Sequence, residues 1–216
     1  MTVTELQFPA SQPDPDSELA EFGLSIELLH EVARPGLGSA LNRTRVANAG
    51  AQSNDIYQDT SEHLRLRLAR QGWDTRDVYQ QRRVIHPEGR MAIVVASAVN
   101  VGVVGDPARM PLTRPKGPAT FSSLGRQRLA NDGVLALPEF QAAAIPPEGA
   151  PLWMLLHELT DSQLLMELSE ARGYRDDGCV DTWGRRIVLP PLAAGGVDSS
   201  FDDGDSDDFD IPVSPR

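Results

Sequence analysis

The chain has 216 residues, 40% of them apolar, which is enough for one real core with tails and leaves room for at most two small domains. Its apolar runs, such as Met91 to Val95, fall far short of the roughly 20 residues that cross a bilayer. The first residues, MTVTELQFPASQPDPDSE, lack the basic start and apolar stretch of a signal peptide, so no membrane is expected and the expected location is the cytoplasm. The formal charge of −11 sits at the ends: residues 1–23 carry five acids and no base and residues 196–216 seven acids and one base, leaving 19 of each sign between them.

The predicted organisation is therefore a disordered acidic arm over 1–23, a single α+β core over 24–195 and a disordered acidic tail over 196–216. Within the arm, PASQPDPDSE is too poor in apolar groups to offset the entropy of ordering. A first helix is predicted near Ser25 to Ala33, with Ser25 as N-cap and Arg34-Pro35-Gly36 as its stop. Gly36 to Asn54, rich in Gly and Asn, reads as an extended connection. A second helix is predicted from about Thr60 to Gln71, capped by Asp59 or Thr60 and ended at Gly72; the alternation in HLRLRLAR makes a strand its competitor. Trp73 just beyond it is expected to act as a lid on the core.

From Gln81 the pattern becomes that of strands. RRVIH, the turn Pro87-Glu88-Gly89-Arg90 and MAIVVASA predict a β-hairpin whose second strand is apolar throughout and therefore central. A Gly/Pro-rich loop follows from Asn100 to Ala119, longer than compact domains usually leave without a role. Phe121 to Asn131 is read as helical. PLWMLLHEL and QLLMELSEA, split by Thr160-Asp161-Ser162, are read as two strands, with strand followed by helix as the alternative, and TWGRRIVLPPL as a last strand. The expected fold class is a small, mostly antiparallel sheet with a few packed helices.

The candidate chemistry is sparse. Cys179 is the one cysteine, so neither an internal disulfide nor a thiolate cage can form, and His30, His63, His86 and His157 make no H-x-x-x-H pair. No phosphate-binding glycine loop, nucleophile elbow or zinc-protease motif occurs, so no cofactor, metal or catalytic residue is expected. Bases are Arg in 19 cases of 20, Lys116 being the only lysine. In RPKGPATFSS, Arg114 and Lys116 sit between stiffening prolines and a glycine that lets backbone approach a ligand, a pattern suited to gripping a phosphate or an acidic group. Arg185 and Arg186, beside Trp183, form a second basic pair; strand alternation sends one towards the core and the other to solvent. All four are the candidate anion-binding residues.

The pattern R-V-I-H-P-E-G-R-M-A-I-V-V-A-S, then R-P-K-G-P-A-T, W-M-L-L-H-E-L, M-E-L-S and W-G-R-R-I-V-L-P, over roughly residues 60–192, resembles uncharacterised proteins carried by actinobacterial genomes, phages and integrated mobile elements. The resemblance implies a context, an accessory gene of a mobile or defence-related element, and no activity. The tail D-S-D-D-F-D-I-P-V is similar to the acidic tip of bacterial single-stranded-DNA-binding proteins, which docks on enzymes of DNA metabolism. Carried over, Asp207, Asp208 and Asp210 would be the acids flanking Phe209, and Ile211, Pro212 and Val213 the apolar plug. Val213 stands where that family ends in Phe, and Ser214-Pro215-Arg216 displace the terminal carboxylate.

Three functions follow as expectations. The first is a non-enzymatic accessory protein that binds a partner protein through its tail and a basic loop. The second is a nucleic-acid binder whose tail competes for the site, against which the neutral core counts. The third is an enzyme with a site assembled from distant residues, for example His86, His157 and Glu158.

Overall fold

The computed structural model describes residues 14–194 apart from 45, 79, 132–149 and 162. It is an α+β fold in which one mixed sheet is covered on one face by a helical hairpin. None of its helices among the described residues is long and apolar enough to cross a membrane.

The arm read as disordered contributes an element from Asp14 onward. Helix α1 (Pro15–Ala20) is capped by Asp14, whose carboxylate accepts from the Ser17 N–H at 3.3 Å. Leu19 is fully buried and Phe22 meets Trp153 with ring centroids 5.4 Å apart, so two apolar residues spaced one helical turn apart anchor an otherwise acidic stretch. Composition averaged over the arm hides that pair.

Helix α2 (Ile26–Leu41) starts at the expected cap, Ser25 Oγ accepting from the Leu28 N–H at 3.1 Å, but it does not stop at Pro35. Pro35 lies on the exposed side of the helix, as does Glu31, whose carbonyl loses its donor to the proline. Gly36 is on the buried side, packed so closely on helix α3 (Ala51–Ala69) that a Cβ there would lie 2.8 Å from Ile56 Cα. The glycine that reads as a stop signal thus lets two helices touch. Helix α3 begins nine residues before its expected start at Thr60, behind Gly50, which offers no side chain to the helix start. It ends as expected near Gly72, in the left-handed region at φ +85°, and Trp73 is buried behind it.

The strands are β1 (Asp74–Val78), β2 (Gln81–Ile85), β3 (Ala92–Val99), β4 (Leu112–Thr113), β5 (Leu152–Leu159), β6 (Gln163–Tyr174), β7 (Val180–Val188) and β8 (Leu192–Ala193). They are ordered β1-β2-β3-β5-β6-β7, with β4 extending beside β3 and β8 beside β6. Every pairing is antiparallel except β3 with β5, which run parallel from Ala92↔Leu152 to Ser97↔His157. The expected hairpin is β2–β3, and the expected pair of apolar strands is the β5–β6 hairpin.

Alternation divides the sheet into two buried faces. Ile93, Val95, Trp153, Leu155, Met166 and Leu168 face the α2–α3 hairpin, while Val94, Ala96, Leu152, Met154 and Leu156 belong to the opposite core with Leu124 of helix α4 (Pro118–Asn131). Strands covered on both sides need unbroken apolar runs, which is why β3 and β5 read as continuous hydrophobic sequence.

The long loop is not structureless. It holds a 3-10 turn at Pro107–Arg109 and strand β4, and three bonds lace its end to the β7 region: Trp183 Nε1 donates to Pro111 O (2.8 Å), Val180 N to Thr113 Oγ1 (3.0 Å) and Lys116 N to Gly178 O (3.0 Å). Arg114 and Lys116 are therefore carried on a fixed backbone.

Candidate anion-binding cleft

The sheet face under the helices changes character along the parallel strands. On β3 the inward residues run Ile93, Val95, Ser97, and on β5 Trp153, Leu155, His157. The apolar layer thus ends in a serine and a histidine paired side by side at the C-terminal ends of β3 and β5, where crevices in open sheets receive ligands. The start of α3 lies over this end, and the Leu112–Lys116 segment closes one side.

The cleft has two joined chambers. The inner one, about 180 Å³, is bounded by Gly50, Ser53, Tyr57, Ser97, Arg114 and Lys116. The outer one, about 880 Å³, shares Gly50, Ser53, Ser97 and Arg114 and opens past Leu41, Val99, Leu112 and Leu159, with His157, Glu158 and Asp161 on its wall.

Its electrostatics favour an anion. Gly50 and Ser53 bring the N-terminus of helix α3 to the cleft wall, and Gly50, at φ +83°, provides no cap. The N–H groups of Gln52 and Ser53 have no acceptor among the described residues, whereas Asn54 N already donates to Gly50 O at 2.9 Å. A Cβ on Gly50 would stand 3.5 Å from both Nη1 and Nη2 of Arg114, so the glycine brings the guanidinium up to the helix start. Arg43 also lines the cleft, but Asp55 neutralises it through two bonds of 2.6 Å. Arg114 and Lys116 carry no such acid among the described residues.

Burial, together with the Arg114 charge, holds the Lys116 ammonium down to about 8, although the nearby Cys179 thiol pulls the other way. Burial and then the Lys116 and Arg114 charges push His157 down to about 3, so its ring is neutral throughout the physiological range. His157 is 2% exposed and its Nε2 is buried without a hydrogen-bond partner among the described residues.

Of the four expected anion-binding residues, the structure brings only Arg114 and Lys116 together. Arg186 instead forks onto the fully buried Glu167, Nε to Oε1 at 3.0 Å and Nη2 to Oε2 at 2.6 Å, and also donates to Val103 O. Arg185, on the opposite side of β7, holds Glu18 (2.8 Å) and Glu21 (2.7 Å) of the α1 region. The two side chains leave β7 on opposite sides as expected, but neither points freely to solvent: both are half-buried and paired with carboxylates of the chain. Asp207, Asp208, Phe209, Asp210, Ile211, Pro212 and Val213 lie outside the described residues. The chain shows no match to protein-family models, to curated proteins or to solved structures.

The trio His86, His157 and Glu158 is not gathered. His86 follows β2 and packs edge-on against Trp73 at 4.8 Å, its Nδ1 accepting from the Glu88 N–H; this is the opposite end of the sheet from His157. Glu158 takes the Val101 N–H at 3.0 Å. Sequence reasoning missed Gly50, Ser53, Tyr57 and Ser97. The only signal for Ser97 and His157 was a polar residue interrupting each of two apolar strands, and nothing indicated that those strands pair.

Proposed function

We propose that the chain is a non-enzymatic accessory protein whose core cleft receives an anionic group, with the acidic segment Asp207 to Val213 as a separate contact to a partner protein. The observation that carries the cleft reading is the pairing of cations. The structure spends Arg43, Arg185 and Arg186 on its own carboxylates, yet aims Arg114 and Lys116 at an uncapped helix start with no acid between them among the described residues. Holding a desolvated lysine beside an arginine is unfavourable for the empty protein, and an incoming anion relieves it. A binding role fits His157 better than acid–base chemistry, because a proton carrier works best with a pKa near the operating pH.

The test is thermal denaturation of the full chain with and without inorganic phosphate at constant ionic strength. Wild type should gain several degrees in Tm, and a chain carrying Arg114→Gln and Lys116→Met should gain none. Equal shifts in both would refute the cleft.

A further inference from the structure

We infer that the anion is a phosphate monoester on a small organic body, its phosphoryl group in the inner chamber at the α3 start and its body in the outer one. The inference rests on the anion-cleft reading and adds the ligand class. Donor number argues for phosphate over carboxylate. The inner chamber collects Arg114, Lys116, Ser53 with its open N–H in the first turn of a 19-residue helix, and the hydroxyl residues Tyr57 and Ser97, more donors than two carboxylate oxygens can satisfy. Charge argues the same way, since two side-chain cations and a helix N-terminus match a dianion better than a monoanion.

Independently of the helix start, His157, which lines the outer chamber, buries its Nε2 without a hydrogen-bond partner among the described residues. A buried polar nitrogen is rarely left so, and a neutral imidazole can serve a ligand oxygen without adding a charge. The organic body follows from the outer chamber, whose size falls in the range of small-molecule sites and whose wall mixes Leu41, Val99, Leu112 and Leu159 with polar groups. A polymer is disfavoured because the outer chamber's Arg43 is already paired with Asp55 and the carboxylates Glu158 and Asp161 stand on the same wall.

Calorimetric titration of the full chain at pH 7 with phenyl phosphate, inorganic phosphate, benzoate and a short 5′-phosphorylated oligonucleotide tests this. Phenyl phosphate should bind at least about tenfold more tightly than inorganic phosphate or benzoate, and Lys116→Met should weaken it by at least about tenfold; Arg114→Gln, at an exposed position, provides the same test should the Met variant fold poorly. Benzoate binding as tightly as phenyl phosphate would overturn the phosphate assignment and leave the anion cleft standing. Inorganic phosphate binding as tightly would remove the organic body. Tighter, salt-sensitive binding of the oligonucleotide would replace the small molecule by nucleic acid, and no binding of any of the four would end both readings.

Discussion

Replacing Arg186 by Ala should destabilise the protein by about 3–5 kcal/mol, because it strands the Glu167 carboxylate in the interior. Glu167 is fully buried and accepts four hydrogen bonds: two from Arg186, one from Gly102 N at 2.8 Å and one from Ser169 Oγ at 2.6 Å. The pair also fastens the Gly102–Val103 turn to the sheet, since Arg186 donates to Val103 O at 3.1 Å. With the cation gone, the carboxylate must take up a proton or draw in water, and the turn loses its tie. The melting temperature should fall by roughly 10 °C or more. Replacing Arg186 by Met and Glu167 by Leu together should recover much of the loss, because two apolar groups leave no buried charge. Arg185→Ala is the contrast. Its partners Glu18 and Glu21 are 15% and 56% exposed and the Arg185 side chain itself is one-third exposed, so water reaches what the arginine leaves behind and the loss should be well below that of Arg186→Ala. Melting within 2–3 °C of wild type for Arg186→Ala would show that the buried pair is not structural.

Lys116→Met should make the protein more stable while weakening anion binding. The methionine keeps the packing of the stem and removes a desolvated charge, a gain of about 1–2 kcal/mol once the partial exposure of the ammonium is allowed for. Its sign with pH follows from the depressed value. Lys116 titrates near 8 in the folded chain and near 10.5 when solvated, so between these limits the unfolded chain binds more protons at this site and the destabilisation due to Lys116 fades as pH rises. The advantage of the Met variant is therefore full below pH 8 and fades by about pH 10.5. The groups facing Lys116 are Arg114 on its own segment, Tyr57 of α3, His157 of β5 and Cys179 before β7; neutral His157 adds no titration in this window. Chemical denaturation of both proteins at pH 7 and pH 10 would show it. A Met variant less stable than wild type at pH 7 would mean that the ammonium is paired rather than stranded.

The contrast between Arg185 and Arg186 also marks what can be read from sequence. Alternation placed them on opposite sides of β7, but not their partners: Glu167 stands 19 residues away on the neighbouring strand and Glu18 lies 167 residues away on α1. Local signals were legible where local physics decides. Ser25 caps α2, the Pro87–Arg90 turn closes the β2–β3 hairpin, and Gly72 ends α3. They failed where packing decides. Pro35 is tolerated on the exposed side of α2, Gly36 is a contact point and not a stop, and polar β1 is a strand because β2 offers it an edge.

The cleft was half legible. A stiff, Gly-containing loop with two cations in an overlong connection pointed to Arg114 and Lys116. The rest depends on the parallel pairing of β3 with β5, whose partners Ser97 and His157 are 60 positions apart, and on a helix start behind a glycine that has no capping side chain to announce it.

Because Lys116 is the only lysine, one NMR signal reports on the cleft. With lysine labelled at Cε, the full chain should show a single resonance titrating near pH 8, and saturating phenyl phosphate should move that titration upward, since a bound dianion favours the charged amine. A resonance that titrates near the ordinary value of about 10.4, and that phenyl phosphate leaves unmoved, would contradict the anion cleft.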